Sequence, residues 1–321
     1  MIYRRLQRIG GGTLFISLPR SWVNGRGLKK GDIVEIEETP QGTILISPYQ
    51  LSTNASQLFS SIKVEEEDRQ RIEREVAAAY LSGKEIIRLL FNPDDYRVRK
   101  MVKDIGRFFL GLELVEEDAD SVTYRFMLEQ GGITPEKIFR RMNVIARSMY
   151  LDSAKASLER NEELLEDIKK RDEEIDRLYF LGVRMLRQIT SNSALSAKYG
   201  LSATKALDYR VAYQHLEYMG DIAYTFSDDL FGEDRDFVQH VAQVIQKISA
   251  LHDSAQLHFF GAARESYSSF LHAVSAVQDE IRNLARTDKT GKKETISCIN
   301  EIIRLIVDIA DLAGTLYPYV K

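Results

Sequence analysis

Glu217 and Asp221 stand four residues apart in YQHLEYMGDIAYTF, residues 213–226. At helical spacing both carboxylates share one face, beside an apolar seam of Ala212, Leu216, Met219, Ala223 and Phe226. Like charges so placed weaken a helix by roughly a few tenths of a kcal/mol. A second pair, Asp172 and Asp176, has the same spacing in RDEEID. If the two stretches run as antiparallel helices, the pairs lie roughly 24 and 23 Å from their connection, level within a turn. Four level carboxylates are costly unless a cation sits among them or some keep their protons. An oxygen-only set suits Mg²⁺, Mn²⁺ or iron, and a carboxylate also binds Zn²⁺. No histidine joins them, since His215 points about 200° away from Glu217 around the helix. A solvated acidic flank is the competing reading, and on these residues alone both stand.

Other reactive side chains offer less. His215, His240, His252, His258 and His272 form no H-x-x-x-H pair, and Cys298 is the only cysteine. No cysteine-built zinc site and no intrachain disulfide can form. Gly10, Gly11 and Gly12 lack the Lys-Ser/Thr ending of a phosphate loop and read as a tight hairpin. No Ser-His-Asp set emerges, and no enzyme is expected. The charge is uneven: residues 1–50 carry a net +3 against −7 for the rest, within a total of −4. A basic head on an acidic body confines any nucleic-acid contact to the head.

The elements that must position these groups fall into three segments. Residues 1–50 read as four short strands around one helical turn in LPRSWVNGRGL. So small a unit, poor in large apolar side chains, needs a partner chain, with Val23, Leu28, Ile33, Val34 and Ile36 as its shared core. Residues 51–131 read as β-α-β-α-β-β, a small sheet with helices on one face. From Thr134, an N-cap followed by Pro135, helices are expected at 135–160, 161–190, 204–230, 233–259, 262–288 and 292–317. SNSALSAKYGLS is read as a break. GDIAYTFSDDL and VDIADLAGTLY share Asp-Ile-Ala in register, which suggests two three-helix units at about 132–231 and 232–321. No apolar run is long enough to span a membrane, and the start resembles no signal peptide. A cytoplasmic protein is expected.

Two resemblances rest on these residues. ISLPRSW, GLKKGDIVEI and GTILISP resemble the AbrB/SpoVT swapped-hairpin family, with Leu18-Pro19 for its I-P dipeptide and Gly31-Asp32 as its turn. That resemblance implies an interleaved homodimer and DNA contact through Arg4, Arg5, Arg8 and Arg20. HLEYMGDIA and RDEEID stand where the PhoU family of phosphate-uptake regulators carries its acidic motifs. The order of head and body is similar to archaeal phosphate-uptake regulators. The PhoU resemblance implies two three-helix bundles, metal on the acidic motifs, and a phosphate transporter ATPase or its sensor kinase as partner. This sequence departs from the pattern at Tyr218, Met219 and Ile222, and carries Arg304 where the second copy would have its acid.

The expected architecture is mainly α: a swapped-hairpin β module, a small α/β middle domain (51–131) and a PhoU-like pair of three-helix bundles (132–321). The expected function is regulation of phosphate uptake. Its metal, Fe, Zn, Mn or Mg, would sit on Asp172, Asp176, Glu217 and Asp221, with a weaker second site on Asp308 and Asp311. Two alternatives remain: a ligand-sensing transcription factor without transporter contact, and a structural dimer adaptor with neither metal nor DNA.

Overall fold

The computed structural model describes residues 3–9, 13–38, 42–48, 58–65, 68–128, 132–287 and 293–316. Contacts group the chain into two compact units, Met1–Gln57 and Leu58–Lys321. Gly10, Gly11 and Gly12, and most of the TPQG turn, lie outside the described residues.

In the first unit, β1 (Gln7–Ile9) pairs antiparallel with β2 (Thr13–Phe15), and β3 (Val34–Glu38) with β4 (Ile44–Pro48). Helix α1 (Arg20–Gly25) lies between the two hairpins in sequence. The LKKGD turn closes as its residues suggest. Lys29 N donates to Asp32 Oδ2 at 2.7 Å, and Gly31 takes a positive φ of 99° that favours glycine. Leu6, Leu14, Ile33, Ile36 and Ile44 of this unit are each more than half exposed. Of the expected shared-core residues, Val23, Leu28 and Val34 are half-buried while Ile33 and Ile36 face solvent.

The second unit begins with a four-stranded sheet of order β5-β6-β8-β7. Strand β5 (Phe59–Lys63) runs parallel to β6 (Ile86–Leu90); β8 (Ser121–Phe126) is antiparallel to β6 and to β7 (Leu112–Glu117). Helices α2 (Arg69–Leu81) and α3 (Tyr96–Phe108) start on the N-caps Asp68 and Asp95. Their apolar stripes cover one face, burying Ile72, Val76, Val102 and Ile105 against Ile87, Leu89, Val122 and Tyr124.

Long helices follow: α4 (Pro135–Glu159), α5 (Glu162–Ser191), α7 (Ala203–Phe231), α8 (Arg235–Phe259), α9 (Tyr267–Thr287) and α10 (Lys293–Asp311), then the short α11 (Ala313–Leu316). Thr134, Asn161, Ser202 and Asp234 cap the first, second, third and fourth of these. The stretch expected as a break holds a further helix, α6 (Ser193–Tyr199). Asn192 Oδ1 accepts from the backbone N–H of Ala194 and Leu195, and Gly200 closes the turn at a φ of 61°. Helices α4, α5 and α7 form one three-helix group, and α8, α9 and α10 the other. Their apolar side chains nevertheless make a single cluster that runs from Ile138 through Phe226 and Ile248 to Ile309.

The sheet and the helices, expected as separate domains, fall within one contact unit. Arg184 of α5 joins them. Its fully buried guanidinium donates to the carbonyl oxygens of Tyr80 (2.5 Å), Lys84 (2.9 Å) and Gly83 (3.3 Å), capping the C-terminal end of α2. It also lies 4.0 Å from the ring centroid of Phe126. One helical turn or two earlier on α5, Arg177 donates to Phe108 O at 3.1 Å and Phe180 packs edge-on against Phe108 and Phe109.

Candidate metal centre

The close approach of α5 and α7 is set by two glycines. A Cβ on Gly182 would lie 2.4 Å from the Tyr213 ring, so only glycine lets that ring lie against α5. Tyr213 is held there by donating to Pro135 O at 2.7 Å. At the other end of the contact, a Cβ on Gly220 would meet Ile175 Cδ1 at 3.0 Å and Asp172 Oδ1 at 3.2 Å. The glycine before Asp221 therefore makes room for a carboxylate from the facing helix.

Between these contacts Asp176, Glu217 and Asp221 converge. Each offers a carboxylate oxygen, and the three oxygens lie within 4.8 Å of one another. Asp176 and Glu217 are half-buried and Asp221 is exposed. Asp172, one turn earlier on α5, lies beside this triad against Gly220 rather than within it. Burial first, then the neighbouring carboxylates, pushes Asp172 and Glu217 up to about 7 and Asp176 up to about 6. Burial also raises Asp221 above the usual carboxylate range. Against this, Arg210 pulls Glu217 back down, and its guanidinium lies 4.9 Å from the Tyr179 ring centroid. The site is an acid-rich cluster of carboxylate oxygens. Such a donor set fits a hard or borderline cation.

The other expected site residues are placed differently. Asp308 Oδ2 accepts from Arg304 Nη1 at 3.1 Å, and the same guanidinium pairs with Glu301. Asp311 borders a separate cleft with His258 and Glu265. Asp308 and Asp311 thus have different surroundings, and one is already neutralised by an arginine. Arg4, Arg5, Arg8 and Arg20 are all exposed on the first unit, flanking or within β1 and at the start of α1. Two contributors to the centre were not singled out from spacing. Gly182 makes its packing, and Arg210 supplies a counter-charge to Glu217.

Comparison with known families bears on the same two regions. Residues 139–230 match the PhoU domain, and residues 7–53 match the antidote-toxin recognition MazE, bacterial antitoxin family. The chain joins a MazE/AbrB-like head to a PhoU-type helical segment. The PhoU match spans α5 and α7, so all four carboxylates lie within it, whereas the second three-helix group lies beyond it. The pairing of domains marks a protein related to phosphate regulation with a swapped-hairpin head. No curated protein and no solved structure gives a significant match. Among the described residues, no helix is long and apolar enough to cross a membrane.

Proposed function

We propose that this chain is a non-catalytic regulator of phosphate uptake whose helical segment holds one metal ion. Asp176, Glu217 and Asp221 would supply its oxygen ligands, and Asp172 a fourth carboxylate beside them. The observation that carries this reading is the convergence of three carboxylate oxygens within 4.8 Å with little opposing charge. A bound cation would supply the missing positive charge and cross-link α5 to α7. The asymmetry of the two helical groups supports a single site, because Arg304 occupies the corresponding place beside Asp308.

The head in this reading joins two copies, since Leu6, Leu14, Ile33, Ile36 and Ile44 are each more than half exposed within one chain. Its exposed arginines then face outward in duplicate, a disposition suited to DNA phosphates. A phosphate transporter ATPase or its sensor kinase is the partner proposed for the helical segment.

The test is metal titration and elemental analysis of the wild type and of Glu217→Ala with Asp221→Ala. One equivalent of metal on the wild type and none on the double variant is expected. Stoichiometric metal that survives the double substitution would exclude this site.

A further inference from the structure

At the far end of the second helical group, the turn after α8 and the start of α9 face the end of α10 and α11 across a cleft of about 410 Å³. Its wall includes His258, 8% exposed, whose imidazole contacts Tyr267 edge-on at 5.7 Å and Phe270 at 5.4 Å. Ala310, also buried, forms part of the floor, with Ala263 and Ala313 adding apolar surface. Two exposed carboxylates, Glu265 and Asp311, stand at the rim. Glu265 accepts from Ser254 Oγ. Among the described residues, His258 Nε2 is buried without a hydrogen-bond partner.

These groups do not meet as a metal's ligands must. Among the described residues the one set of three histidine, cysteine or acidic side chains with donor atoms inside 4.8 Å is Asp176, Glu217 and Asp221. Two separated carboxylates over an aromatic and alanine-lined floor suit a longer cation, with apolar length between its charge and its far end. We propose that this cleft binds an alkylammonium group. Its methylenes lie along His258, Tyr267 and Ala310, and its N–H groups donate to Asp311 and Glu265.

This ligand chemistry has two sources, a free small amine and the side chain of a lysine on another protein. The cleft uses none of the carboxylates of α5 and α7, so the two proposals fail separately. The experiment uses the full chain and two probes: putrescine, and an N-acetylated lysine amide that stands for a protein side chain. Binding is followed by backbone amide shifts of Gly261, Ala263, Tyr267 and Gly314. Saturable shifts at these four amides are expected. Both rim residues are exposed, so Asp311→Asn and Glu265→Gln should fold normally. Each should weaken binding up to about fivefold, the scale of an exposed ion pair. Binding of putrescine alone assigns a free amine, whereas binding of both probes assigns a lysine side chain as an acceptable occupant. No saturable shift with either probe, or unchanged affinity in both variants, overturns the proposal.

Discussion

At the scale of single residues, the acidic centre makes the apo-protein sensitive to pH. Asp172, Asp176 and Glu217 take up their protons in the folded state at about 7, 6 and 7, well above the usual carboxylate range. Between roughly pH 4 and 7 the folded chain therefore binds more protons than the unfolded one, and stability falls as pH rises. The metal-free protein should show a lower Tm at pH 8 than at pH 5.5. Thermal scans on the wild type and on Asp172→Asn with Glu217→Gln check this, because the double variant should lose most of the decline. A saturating divalent ion should remove it too, since ligation replaces the protons. The spacing of Glu217 with Asp221, and of Asp172 with Asp176, was legible because a helix repeats every 3.6 residues and needs no tertiary knowledge. What spacing could not separate is the inner triad from Asp172. Levelling the pairs by their midpoints ignores how the helices cross at Gly220. Arg184 was illegible for a different reason: its partners are backbone carbonyls about a hundred residues away, and carbonyls have no sequence signature.

Helix packing sets the next scale. Gly220→Ala would drive a methyl group against Ile175 and the Asp172 carboxylate. The expected result is weaker metal affinity with the fold kept, read by competition with a chelator. Gly182→Ala meets an aromatic ring wedged at 2.4 Å and should cost about 1–3 kcal/mol in denaturant unfolding. Arg184→Ala would strip three carbonyls of their donor and open a cavity between α5 and the sheet. A loss of about 3 kcal/mol or more is expected, with earlier hydrogen exchange at residues 80–84. Helix limits were readable where caps stand out: Thr134-Pro135 opens α4, and the expected and observed starts agree. Helix α6 was missed although its cap and closing glycine are both present. Its sequence, SALSAKY, has too few apolar residues to show a 3.6-residue period, so Asn192 and Gly200 read as loop residues.

On the scale of the whole molecule, the first unit leaves Leu6, Leu14, Ile33, Ile36 and Ile44 more than half exposed. Full-length protein should therefore run as a dimer by light scattering. Changing Ile33 and Ile36 to Asp, both exposed within one chain, should yield monomers if those side chains are covered by a second copy. Should the head bind DNA, Arg5→Ala with Arg8→Ala should flatten the salt dependence of binding by about two phosphate contacts. No binding of genomic DNA by the wild type at low salt would leave dimerisation as the head's role. The order of segments was readable from composition, whereas the union of sheet and helices was not, because it depends on Arg184 and the rings around it. The two helical groups share one apolar interior. The Phe139 ring stacks at 4.5 Å on Phe259 of the other group, so removing the second group would strip cover from the first. The helices that carry Arg304 are therefore scaffold for the helices that carry the four acids.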